Sequence, residues 1–109
     1  MTEMIVILST APDAAKAAEI GTKLLEEKLI ACVNIIPEVR SLYFWQGAIH
    51  DDREALFVLK TRVDLFEQVR SRLVSLHPYD CPEIVQLSVE AVHEPYLAWL
   101  TASVRPKGG

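Results

Sequence analysis

An α+β fold of the split-βαβ, ferredoxin-like kind, with an extra C-terminal helix, is predicted by three observations on this 109-residue chain. Strand-length apolar runs and helix-length amphipathic stretches follow one another in the order β-α-β-β-α-β, which specifies an antiparallel sheet covered by helices on one face. The second and third strand segments are separated only by Gln46-Gly47, so they form a hairpin. Half of the residues are hydrophobic and 24% are charged, as in a globular chain, and the length suits a single domain over residues 1–109.

The elements follow in order. Met4 to Ser9 is a continuous apolar run, as expected of a strand buried on both faces. Thr10-Ala11-Pro12-Asp13 reads as a helix start, with Thr10 as cap, Pro12 in the first turn and Asp13 favoured by the helix dipole. Helical spacing then runs to Lys28, with the small residues Ala17, Ala18 and Gly21 letting the helix lie close on the sheet. Ile30 to Ile36 is a second apolar stretch, interrupted by Pro37. Val39 to Trp45 alternates, and Ala48 to Thr61 returns as the third strand, apolar on both faces at Leu56-Phe57-Val58-Leu59. Val63 to Leu76 carries Leu65, Phe66, Val69 and Leu73 along one stripe with charges opposite, a second amphipathic helix. Ile84 to Val89 is the fourth strand. Pro95 to Ser103 reads as a short amphipathic helix burying Leu97, Trp99 and Leu100, and 105–109 as a tail.

The hairpin is too long for one such domain. Ile30 to Trp45 spans roughly 50 Å if extended at ~3.3 Å per residue, against a radius of gyration of only ~13 Å for a domain of this size. The arms carry Tyr43, Phe44, Trp45, Leu56 and Phe57, and a long apolar edge in water invites aggregation. Pairing with the same arm of another copy removes the problem, so a closed homo-oligomer is expected. A bent hairpin covered by the C-terminal helix is the alternative.

Composition narrows the function classes. A net charge of −4 with no basic cluster argues against nucleic acid and anionic membranes as partners. The run Ile5-Val6-Ile7-Leu8 is too short for the core of a signal peptide, and nothing approaches a membrane span. Two cysteines without an export signal read as free thiols, and the expected location is cytoplasmic. No nucleophile elbow, P-loop, H-E-x-x-H or dinucleotide fingerprint is present, and the glycine-rich anion loop of acylphosphatases, which share this topology, is not visible; no enzyme activity is expected.

Thr10-Ala11-Pro12-Asp13, Ala31 to Pro37, Ser41-Leu42-Tyr43-Phe44-Trp45-Gln46-Gly47, Lys60-Thr61, His77-Pro78-Tyr79, Pro82-Glu83 and Tyr96-Leu97-Ala98-Trp99 stand in one order. Together they closely resemble the CutA family of divalent-cation tolerance proteins, from Val6 to Ser103. The resemblance implies a ferredoxin-like protomer, a tight homotrimer joined through its long hairpins and shaped like the PII signalling proteins, a role in tolerance of copper and other divalent cations, and no established reaction. The chain departs from the family pattern at Glu38, Cys81 and His93, so the bend near Pro37 is in question and neither Cys81 nor His93 inherits a role.

The candidate donors gather around His77-Pro78-Tyr79-Asp80-Cys81-Pro82-Glu83, a segment stiffened at both ends by proline. His77 reads either as a helix-terminal histidine favoured by the dipole or as a metal ligand, since imidazole suits copper, zinc and nickel. Cys32 reads as a buried apolar thiol, and the resemblance makes it a candidate copper ligand. Cys81 lies in a polar loop four residues from His77; two donors do not close a site, so a metal here needs donors from a neighbouring subunit or water. His50-Asp51-Asp52-Arg53-Glu54 reads as a solvated charged edge. Lys60 reads as a strand end reaching solvent or as a partner for Glu83 or an anionic ligand. The expectation is therefore copper(II) or another divalent cation at clefts between subunits, held by His77, Cys32 and Cys81, with Tyr43, Trp45, Lys60, Tyr79 and Glu83 lining the cleft. The alternative is a PII-like trimer binding a small anionic ligand or a partner protein, with His77 and Cys32 structural.

Overall fold

The computed structural model describes residues 1–108. The elements are β1 (Met4–Ala11), α1 (Ala14–Glu26), β2 (Cys32–Trp45), β3 (Ala48–Arg62), a 3-10 turn (Val63–Leu65), α2 (Phe66–Leu76), β4 (Val85–Ser88) and α3 (Glu94–Ser103). The strands form one four-stranded sheet in the order β2-β3-β1-β4, and every neighbouring pair is antiparallel. β3 is inserted between the parallel strands β1 and β2, which is the split βαβ that the element order predicts.

Strand register divides the side chains between two faces. Ile5, Ile7, Ala11, Phe57 and Leu59 point to one face and are essentially inaccessible, together with Ile20 and Leu24 of α1 and Val69 and Leu73 of α2. Apart from Ala11, each such side chain contributes roughly 1.5–3 kcal/mol by leaving water. Val6, Leu8, Leu56, Val58, Ile36, Val85 and Leu87 fall on the opposite face, where burial is only partial or absent. β1 is therefore fully covered on one side only, not on both as its sequence suggests.

Helix α1 approaches β2 closely at Gly21, where a Cβ would meet Val33 Cγ1 at 2.9 Å. The helix begins one turn later than expected. Thr10 still belongs to the ladder, because β1 pairs with β3 as far as Ala11 opposite Ala55, and Asp13 is the cap, its carboxylate accepting from Lys16 N–H at 2.8 Å. At the other end Lys28 adopts φ 58°, with Lys28 N–H bonded to Leu25 O and Leu29 N–H to Leu24 O. These two bonds form a Schellman stop, with lysine in the left-handed position usually given to glycine.

The hairpin extends well past the sheet. β1 covers β3 only from Ala55 to Arg62, so among the described residues Val39–Trp45 and Ala48–Glu54 pair with each other alone. Seven residues at ~3.3 Å give an arm of roughly 23 Å, and the molecule measures 43 × 26 × 22 Å with a radius of gyration of 14.5 Å. The register breaks between Ile36 and Val39, at Pro37, which has no N–H to donate to a ladder. At the tip Gln46 and Gly47 both have positive φ, 49° and 79°, the backbone of a type I′ hairpin turn.

Helix α3 lies against β3, with Leu100 fully buried. Trp99, expected inside, is 48% exposed: it stands about 200° around the helix from Leu97 and 100° from Leu100, so all three cannot face inward. α3 does not cover the arm.

Candidate functional site

The base of the arm and the segment after α2 enclose a cleft of about 780 Å³. Its floor and one wall come from Ser41, Tyr43, Trp45 and Glu54, which share a face of the hairpin because Val39 pairs with Glu54, Ser41 with Asp52 and Tyr43 with His50. Pro78, Tyr79, Asp80, Cys81 and Glu83 form the facing wall, and Thr10 closes the inner end.

His77 positions the second wall from behind. It caps α2, its N–H bonded to Leu73 O at 2.9 Å, and turns extended at φ −80°, ψ 139° as a residue before proline must. Its side chain is buried. Tyr79 N–H donates to Nδ1 at 3.1 Å, so Nδ1 is an acceptor and Nε2 carries the proton, donated to Thr10 O at 2.7 Å. The imidazole thereby ties the loop to β1 and has both ring nitrogens in use. Its ring lies 4.7 Å from that of Tyr79, tilted by 52°.

Two phenol–carboxylate pairs face the cleft region. Tyr79 donates from its hydroxyl to Glu54 Oε1 at 2.9 Å, and Tyr43 donates to Asp52 while stacking on His50 at 5.3 Å. Burial, then the Glu54 carboxylate, push the Tyr79 hydroxyl far above the ordinary tyrosine range. The hydrogen bond to Asp52, then desolvation, raise Tyr43. Arg40 grips Asp51 with two hydrogen bonds, at 2.9 and 2.7 Å, and holds that carboxyl below its usual range. Arg53 pairs with Glu38 at 2.7 Å across the register break.

Of the residues expected at the site, Tyr43, Trp45, Tyr79, Cys81 and Glu83 are brought together. Cys32 and Lys60 are not. Cys32 pairs with Lys60, and Lys60 with Val6, four residues along β1 from Thr10, or about 13 Å. Cys32 Sγ donates to Asn34 Oδ1 at 3.7 Å, and Lys60 Nζ sits 5.9 Å from the Tyr96 ring centre, with no ion pair to Glu83 among the described residues. Among the described residues no three His, Cys, Asp or Glu side chains converge as metal ligands, so His77, Cys32 and Cys81 do not form a metal site within one protomer. Thr10, Arg40, Glu54 and Asp80 line the cleft without having been expected there. Glu54 could have been found by counting outward from the Gln46-Gly47 turn, which fixes its partner and its face.

The sequence matches the family described as CutA1 divalent ion tolerance protein over residues 5–103. It is 45% identical over 97 residues to the divalent-cation tolerance protein CutA of Pyrococcus horikoshii, covering 89% of this chain and 94% of that one. The Escherichia coli O139:H28 protein of the same name is 42% identical over 104 residues, 95% and 93% of the two chains. Among solved structures, CutA from Xylella fastidiosa superposes with a TM-score of 0.92 at 34% identity, covering 95% of this chain and all of that one. The periplasmic divalent cation tolerance protein CutA from Archaeoglobus fulgidus does so at 0.91 and 34%, covering 94% and 99%. A family match across nearly the whole chain, on the fold and hairpin described above, settles membership: the chain belongs to the CutA1 family of divalent-ion tolerance proteins.

Proposed function

We propose that this protein is a homotrimeric, non-catalytic divalent-metal-binding protein of the metal-tolerance response, with copper(II) the preferred ion, bound where the clefts of neighbouring subunits meet. The observation that carries this reading is the uncovered arm. Leu42, Phe44 and Ile49 share one of its faces and are 62%, 71% and 71% exposed. Leaving each in water forgoes roughly 1.5–3 kcal/mol, which docking against further copies would recover. Among the described residues the outer edges of β2 and β4 are likewise without strand partners, and sheet edges pair readily with another chain.

A thiol, an imidazole and carboxylates near the cleft suit copper over magnesium or calcium. One protomer does not gather them, so the reading requires donors from two subunits. For His77 to ligate, one of its two hydrogen bonds must be released, and the Tyr79 N–H bond at 3.1 Å is the longer. Free Cys32 and Cys81 support a reducing, cytoplasmic location; recovery with a periplasmic marker on fractionation would contradict it.

Calorimetry and copper EPR on the wild type, His77→Ala, Cys32→Ser and Cys81→Ser test the metal claim. Saturable Cu(II) binding weakened at least tenfold by one of these substitutions is the expected outcome. Binding unchanged in all three variants, or no tighter than to an unrelated protein of similar charge, sinks it.

A further inference from the structure

The cleft has the chemistry of a different guest from a metal ion. Its volume, about 780 Å³, lies within the range of small-molecule sites, roughly 300–1,000 Å³, and far exceeds what a bare cation fills. Calcium needs about six to eight convergent oxygens, and magnesium a near-ideal octahedron; here no three acidic, His or Cys donors converge among the described residues.

The charge on the walls selects the sign of the guest. Glu54, Asp80 and Glu83 line the cleft, against the single cation Arg40. The Arg40 guanidinium is already paired with Asp51 through Nε and Nη2, so its charge is largely offset within the hairpin. Glu54 accepts from Tyr79 at one oxygen, Oε1, and keeps lone pairs for a further donor. Three aromatic rings, Tyr43, Trp45 and Tyr79, line the same space, and Trp45 and Tyr43 remain 44% and 41% exposed. Aromatic faces beside carboxylates attract alkylammonium groups, the rings through their quadrupoles and the acids through charge. Methylene chains between ammonium groups add apolar contact with the same rings.

We infer that the Tyr43–Trp45–Tyr79 cleft, edged by Glu54, Asp80 and Glu83, is a binding site for a small alkylammonium cation of the linear polyamine type. The inference draws on the same cleft as the copper reading but on none of its proposed donors, His77, Cys32 and Cys81.

Spermidine is the probe, with tetramethylammonium and the dianion glutarate as comparisons. Titrations use Trp99→Phe protein, so that fluorescence reports from Trp45, the other of the two tryptophans, and calorimetry on the wild type gives stoichiometry. The expected result is saturable spermidine binding at one per chain, tetramethylammonium weaker, and glutarate without effect. The double substitution Asp80→Asn, Glu83→Gln changes only exposed side chains and is expected to weaken spermidine roughly tenfold. Trp45→Ala is expected to do the same by calorimetry, with light scattering confirming an unchanged assembly. Cys32→Ser, which reports on copper and lies outside the cleft at the far end of the sheet, should leave spermidine affinity within about twofold, so the two readings fail separately. Absence of saturation at millimolar spermidine, equal affinity in the double variant, or tighter binding of glutarate would overturn the assignment.

Discussion

The two halves of the β2–β3 hairpin are one continuous ladder in two different environments. In the base, Ala55–Arg62 lies between β1 and the inner end of β2, with Phe57, Leu59 and Thr61 fully buried. In the arm, Ala48–Glu54 and Val39–Trp45 have only each other, and Phe44 and Ile49, paired across the strands, are both mostly exposed. The arm is held by its own ladder, its type I′ turn and exposed ion pairs such as Arg40–Asp51 and Arg53–Glu38, and exposed pairs contribute little to stability. An isolated two-stranded hairpin is marginal in water. Within one protomer the base is covered by β1 and the helices and the arm is not, and the cleft sits at the junction of the two.

That contrast orders the consequences of substitution. The largest effect is expected from Phe44→Asp combined with Ile49→Asp, which should abolish self-association on size exclusion while far-UV circular dichroism keeps the helices of the base. An unchanged assembly would show that this face of the arm is not a contact. Gly21→Ala strikes the base instead: with Val33 Cγ1 2.9 Å from the new Cβ, overpacking should cost about 1–3 kcal/mol in chemical denaturation and leave the oligomeric state alone.

Tyr79→Phe acts at the junction. Loss of the hydroxyl's bond to Glu54 should cost about 1 kcal/mol and also change the pH profile. The Tyr79 hydroxyl is harder to ionise in the folded chain than in the unfolded one, so its contribution is fully present below about pH 10, the unperturbed tyrosine value. It is lost as the pH climbs from there towards the folded value. Wild-type stability should therefore fall above about pH 10 more steeply than that of Tyr79→Phe. The smallest effect concerns neither arm nor cleft: Lys28→Gly relieves a left-handed lysine and should stabilise the base by about 0.5–1 kcal/mol.

The element order, the Gln46-Gly47 turn and the overlong hairpin were legible in the sequence because each rests on local periodicity or on a specific turn chemistry. The details that escaped depend on what lies across space. Thr10 is a good cap by residue type, but β3 runs far enough to hold it in the sheet, and Asp13 takes the role. Trp99 has the composition of a core residue, yet Leu100 occupies the inward position of α3. Lys60 and Cys32 sit in motifs resembling the family's, but strand register puts them at the far end of the sheet from Tyr79. Glu54 looked like part of a solvated acidic run until its pairing with Val39 turned it towards the cleft.

Both the covering of the arm and an intersubunit metal site require self-association, and sedimentation equilibrium of the wild-type chain at micromolar concentration tests it most directly. A single species at three times the 12.2 kDa chain mass is expected, unchanged on dilution through the micromolar range. A monomer under those conditions would contradict it, leaving the arm uncovered and the intersubunit metal site without its second wall.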